Sequence, residues 1–106
     1  MVVVVFRSRI RPEFATEFQE VADRMYAICR TMPGFLSYKV YQHADGQRVS
    51  IHEWESAEHL RAWREHPEHV AVQQLGREKY YAEYTSYVAD SPRTSTFTQA
   101  EEATAT

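Results

Sequence analysis

The sequence predicts an α+β domain of the ferredoxin-like type, with the element order β-α-β-β-α-β and helices covering one face of a four-stranded antiparallel sheet. Three observations carry this. The chain opens on a β-branched run, Val2 to Ile10, followed by a stretch with helical spacing from Glu13 to Met32. Two alternating runs then flank Asp45-Gly46, a hairpin-turn signal. Finally, a strand-helix-strand order recurs between Ile51 and Ala89, a stretch that also holds both tryptophans and four of the five histidines.

The first strand places Phe6, Ser8 and Ile10 on one face and Arg7 and Arg9 on the other, and Pro12 bounds it. Phe14, Phe18, Val21, Ala22, Met25, Cys29 and Met32 form the inner stripe of the long helix, which Pro33-Gly34 stops. Phe35 to His43 and Arg48 to Glu55 are the hairpin strands. Ser56 caps a helix through about Glu65, with Glu58 in its first turn. Pro67 opens a second short helix, with Val70, Ala71 and Leu75 inward and Gly76 as its stop. Glu78 to Ala89 is the last strand, with Tyr80, Ala82, Tyr84, Ser86 and Val88 on one side and Tyr81, Glu83, Thr85, Tyr87 and Ala89 on the other.

At 106 residues the chain makes one core, and oligomerisation would add buried surface to it. The sheet face away from the helices carries the strand-one valines, Tyr81, Tyr87 and Phe35 or Tyr38, so a second sheet from a twin chain is the economical cover. Residues 1–90 form the domain. Residues 91–106 turn to Ser, Thr, Ala and Glu and are expected either to fray or to lie as an arm across the partner.

Twelve Lys plus Arg against 15 Asp plus Glu, a net charge of -3, argue against nucleic acid as a partner. The opening apolar run is broken by Arg7 and Arg9 well short of the ~20 residues that span a bilayer, so no membrane span or signal peptide is expected. A single cysteine, Cys29, on a helical apolar stripe fits a buried thiol in a reducing cytoplasm.

Three segments carry a family resemblance: Met-Pro-Gly-Phe-Leu-Ser-Tyr at Met32 to Tyr38, the strand-to-helix run from His52 to Trp63, and His-Pro-Glu-His at His66 to His69. Over residues 1–90 the chain resembles the antibiotic biosynthesis monooxygenase domains of the dimeric α+β barrel superfamily. The resemblance implies two sheets packed as a homodimeric barrel, with a ligand cavity between helices and sheet in each subunit. It also implies oxidation of a phenol- or hydroquinone-type aromatic, including polyketides, by O2 without a cofactor. Haem binding, or small-ligand binding without chemistry, is the alternative in the same fold. Trp54 matches the family's pocket tryptophan. Ser50 and Leu60 stand where the polyketide-oxidising members carry asparagine and tyrosine, and Gln73 and Phe6 stand where the haem degraders carry histidine and asparagine.

Such chemistry needs an apolar pocket, a proton acceptor and donors for a developing oxyanion. Ser50, His52 and Trp54 alternate on one strand and so share a face. His52 is the leading base, since an ordinary imidazole pKa of ~6.5 lets burial leave it neutral and proton-accepting. Its structural alternative is a cavity-edge histidine bonded to a helix carbonyl. His69 is a second acid or base, or else half exposed. Trp54 and Trp63 are pocket walls, Ser50 and Ser8 polar orienting groups, and Phe6 and Tyr84 further substrate contacts. His66 is best explained as a helix cap. His59, His66 and His69 lack an acidic or cysteine partner at a recognised metal-site spacing, so no metal is expected.

Overall fold

The computed structural model describes residues 1–100. It contains strand β1 (Val2–Ile10), a short 3-10 turn (Pro12–Phe14), helix α1 (Ala15–Cys29), strands β2 (Phe35–Gln42) and β3 (Arg48–Trp54), helices α2 (Ala57–Arg64) and α3 (Pro67–Leu75), a π-helical turn (Gly76–Tyr80) and strand β4 (Tyr81–Asp90). The sheet order is β2-β3-β1-β4, antiparallel throughout, which is the predicted ferredoxin-like arrangement. Val2, Val4 and Trp54 from the sheet meet Met25 and Cys29 of α1 and Leu60 and Trp63 of α2 in one core. Among the described residues, no helix is long and apolar enough to cross a membrane.

Local sequence explains the junctions. Gly34 adopts φ +80°, and a Cβ there would clash with the His59 side chain, so the turn requires both the left-handed backbone and the missing side chain. Ser56 caps α2 by accepting from the backbone N–H of His59, and His66 caps α3 by accepting from that of Glu68.

The inward stripe expected for α3 is not the one observed: Val70, Ala71 and Leu75 are exposed, and Val72 packs against the core instead. The structure corrects three further expectations. Gly76 does not stop a helix: its φ is -59°, and the backbone winds on through one π turn. Its lack of a side chain serves a close approach, because a Cβ would sit 2.5 Å from the Tyr81 ring. The last strand therefore begins at Tyr81, and Tyr80 is buried in the turn, donating its hydroxyl to Glu17. Second, the pairing register shifts between Arg9 and Ile10, which skips Ala82 and brings Tyr81 onto the same face as Tyr84. Its ring packs 5.7 Å from Phe18 of α1, not on the outer sheet face. Third, Phe35 and Tyr38 both face the helices, Phe35 edge-on against Trp54 and Tyr38 beside Tyr26 of α1.

The outer face is left with the row Ile51, Val5 and Tyr87 across β3, β1 and β4. Beyond Asp90 the described residues form no regular element, and Phe97 is exposed. The expectation for the tail falls partly on residues 101–106, outside the described residues.

Candidate active site

A cavity of about 240 Å³ lies between α1, α2 and α3 on one side and the inner face of the sheet on the other. Strand alternation builds its floor: Arg48, Ser50 and His52 line it from β3, and Phe6 and Val4 from the adjoining β1. Trp63, Arg64, His69, Val72 and Gln73 enclose it from α2 and α3. Tyr81, Tyr84, Ser86 and Val88 line the β4 side, where Val88 is exposed and the helices leave the cavity open.

Of the residues singled out from sequence, Ser50, His52, His69, Trp63, Phe6 and Tyr84 line this cavity. Trp54 does not: it is fully buried beneath the wall, its ring 6.5 Å from Trp63 and nearly parallel to it. Ser8 is absent from the lining as well. It is buried between its ladder partners Arg48 and Tyr84, and its Oγ has no hydrogen-bond partner. Arg48, Tyr38, Tyr81 and Arg77 are walls that sequence reasoning missed. Arg48 was within reach, because it continues the alternation of Ser50, His52 and Trp54 by one step.

Trp54 acts on the cavity through His52. The indole Nε1–H donates to Nδ1 of His52 at 2.7 Å. An indole nitrogen can only donate, so Nδ1 is the acceptor and a neutral His52 carries its proton on Nε2. Burial, with His69 nearby as the lesser cause, lowers the His52 pKa to about 4, so the ring is neutral at pH 7. The expected base is therefore neutral but not proton-accepting. Its basic nitrogen is already occupied, and what remains is an N–H donor.

His69 has the complementary arrangement. Its Nδ1 lies 3.5 Å from the backbone carbonyl of Arg64, a long contact that favours the Nδ1–H tautomer and leaves the Nε2 lone pair open. Burial lowers its pKa, and the contact with the Arg64 carbonyl partly opposes this. The imidazole packs against Trp63 with ring centroids 4.5 Å apart. His66 and His59 are engaged elsewhere, in the α3 cap and against the Ser56 hydroxyl.

Most of the remaining walls are apolar or aromatic, with Arg48, Arg64, Arg77 and Gln73 as the long polar side chains among them. Burial pushes the Cys29 thiol up to about 12, so it is an apolar wall and not a thiolate. Burial also raises Tyr81 to about 12, which keeps its hydroxyl a neutral donor. Tyr84 stacks on Phe6 at 5.0 Å and accepts a hydrogen bond from Arg77 Nε at 2.9 Å.

Comparison with known proteins agrees with this architecture. The family model described as antibiotic biosynthesis monooxygenase matches residues 1–75. The uncharacterized protein YqjZ of Bacillus subtilis is 34% identical over 90 residues, covering 85% of this chain and 78% of its own. Among solved structures, Rv0793 from Mycobacterium tuberculosis superposes with a TM-score of 0.78 at 23% identity, covering 90% of this chain and 98% of its own. SnoaB from Streptomyces nogalater, named as a cofactor-independent oxygenase, superposes with a TM-score of 0.72 at 21% identity, covering 88% of this chain and 94% of its own.

Proposed function

Because the chain belongs to the antibiotic biosynthesis monooxygenase family, we propose that it is a cofactor-independent monooxygenase that oxidises a small phenol- or hydroquinone-type aromatic with O2. The observation that carries this reading is that two imidazoles line one aromatic cavity with their Nδ1 atoms engaged in opposite senses, His52 accepting from Trp54 and His69 beside the Arg64 carbonyl. Deprotonation of a bound phenol needs an acceptor, and the resulting oxyanion needs a donor. In this reading His69 Nε2 takes the phenolic proton and His52 Nε2–H stabilises the oxyanion. The electron-rich ring then reduces O2, forming a hydroperoxide at a ring carbon that bears hydrogen. Loss of water gives the quinone, so one oxygen atom stays in the product and the other leaves as water.

Trp63, Tyr38 and Phe6 hold the ring and limit water, and Ser50 and Tyr84 orient its polar groups. The cavity exceeds the roughly 150 Å³ that accommodates benzene and falls short of the roughly 300 Å³ typical of drug-sized pockets, which favours one or two rings. A haem macrocycle is larger than that, and the volume argues against the haem alternative. The reading includes a cytoplasmic homodimer, a second copy covering the row Ile51, Val5 and Tyr87.

Oxygen uptake by the metal-stripped protein with one- and two-ring hydroquinones, corrected for autoxidation, tests the proposal. Saturable turnover that His69→Ala removes is expected. A rate no greater than background across the panel, or turnover that appears only on adding flavin, metal or haem, would exclude the mechanism.

A further inference from the structure

The cavity lining contains three arginines, Arg48, Arg64 and Arg77, and no aspartate or glutamate. This runs against the composition of the chain, in which acids outnumber bases by 15 to 12. Nor are the guanidiniums committed to carboxylates: among the described residues, none of the three is in an ion pair, whereas Arg9, Arg11 and Arg24 all are. The one acid sharing a neighbouring hollow with Arg48 is Asp23, which already accepts from the Gln19 amide.

Position distinguishes the three. Arg64 and Arg77 are exposed at the rim, while Arg48 is half-buried and lies over the Phe18 ring at 5.0 Å. A guanidinium held on an aromatic face is partly desolvated and oriented, and it interacts more strongly with an anion than one loose in water. Tyr81 packs against the same Phe18 ring and against Tyr84, which Arg77 contacts. Arg48, Tyr81, Tyr84 and Arg77 therefore make one cationic, donor-rich end. The imidazole end lies four residues away on β3, about 13 Å of strand at ~3.3 Å per residue.

We infer that the ligand is an anionic aromatic, a hydroxylated one- or two-ring carboxylic acid whose carboxylate sits against Arg48 with Arg77 beside it and whose hydroxyl reaches His52 and His69. The inference takes the cavity to be the substrate site of the proposed oxygenase and so rests on that reading. It adds a direction to it: the carboxylate fixes which end of the ring meets the imidazoles.

Binding is measured separately from turnover, by quenching of tryptophan fluorescence. The probes are a hydroxynaphthoate with its two groups on opposite rings and the methyl ester of the same compound. The acid is expected to bind about tenfold more tightly or better, as a charge-assisted pair predicts. Arg48→Gln closes that gap and Arg77→Gln narrows it. Added salt weakens the acid and spares the ester, a readout on the wild-type protein that stands even where Arg48→Gln does not fold. Equal binding of acid and ester, a salt-insensitive acid, a gap unchanged in both folded variants, or no saturable binding of either probe would each overturn the inference. Oxygen uptake separates the two proposals. An acid that binds as expected but is never oxidised, in company with every other phenol tried, sinks the oxygenase reading alone. Preferred turnover of the ester sinks the anion inference alone.

Discussion

The indole N–H of Trp54 meets Nδ1 of His52 across 2.7 Å, two residues along the same face of one strand. This contact fixes which imidazole nitrogen holds the proton, and so decides whether His52 gives or takes a hydrogen bond. In a two-bond proton-nitrogen correlation spectrum at pH 7, His52 is expected as the Nε2–H tautomer. Trp54→Phe removes the lock: the protein still folds, destabilised by about 1–2 kcal/mol, and His52 becomes a mixture of tautomers. Catalytic turnover falls about tenfold with little change in substrate affinity, since the ring walls remain. An Nδ1–H signal in the wild-type protein would remove Trp54 from this role.

Stability against pH follows from the same burial. The folded pKa of His52 is about 4, below the ~6.5 of an unfolded histidine, so between those values the unfolded chain binds the extra proton. Stability is therefore flat with respect to this group above pH 6.5 and falls as pH drops from 6.5 towards 4. The loss is at most about 3 kcal/mol, and His69, whose pKa is also lowered, acts with the same sign. Urea midpoints measured from pH 7.5 to 4.5 should drop in the wild type and drop less in His52→Gln. Parallel curves for the two proteins would show that His52 is not the group responsible.

The sheet and the residues sharing its helix-covered face were legible because alternation and helical spacing are local properties, whereas the cavity itself was expected from the family resemblance. Ser50, His52 and Trp54 had to share a face once β3 was recognised, and Arg48 belonged to the same series. Tyr81 was not legible: a single skipped residue at Ala82 reverses its side, and nothing in Lys-Tyr-Tyr-Ala-Glu-Tyr announces a bulge. Gly76 shows a similar limit, since a glycine marks a need for space or for backbone freedom without saying which. The role of His52 was out of reach for another reason. Its neutrality follows from burial, but the choice between donor and acceptor depends on one contact, made by a residue expected to touch the substrate.

Separating the two imidazoles by substitution tests their assigned roles. His69→Ala removes the proton acceptor, and a loss of about 10²–10⁴ in turnover is expected. His52→Phe removes a donor and costs about 10²-fold, whereas His52→Gln keeps an N–H and recovers part of that. Because a base must be unprotonated, the wild-type rate rises with pH through the His69 pKa, which burial holds below the usual histidine value, and is level by pH 7. A rate still climbing steeply above pH 7.5, or full activity in His69→Ala, would assign proton removal to another group.

Gly34 offers a test of the junction that sets α2 against the sheet. Its carbonyl accepts from the Glu55 N–H at 2.8 Å, tying the turn before β2 to the end of β3 just ahead of the Ser56 cap. Alanine there incurs about 1–2 kcal/mol for a left-handed backbone, and its methyl group clashes with Cβ, Cγ and Cδ2 of His59. The ring can withdraw only by breaking its 2.7 Å contact with Ser56, which loosens the start of the helix that carries Leu60 and Trp63. Gly34→Ala is therefore expected to lower the thermal midpoint by well over 5 °C, with a stability loss of about 3 kcal/mol or more. The double variant Gly34→Ala with His59→Ala removes the steric part and recovers roughly half, leaving the backbone strain. A single variant as stable as the wild type, or a double variant no better than the single, would place the constraint somewhere other than this glycine-histidine contact.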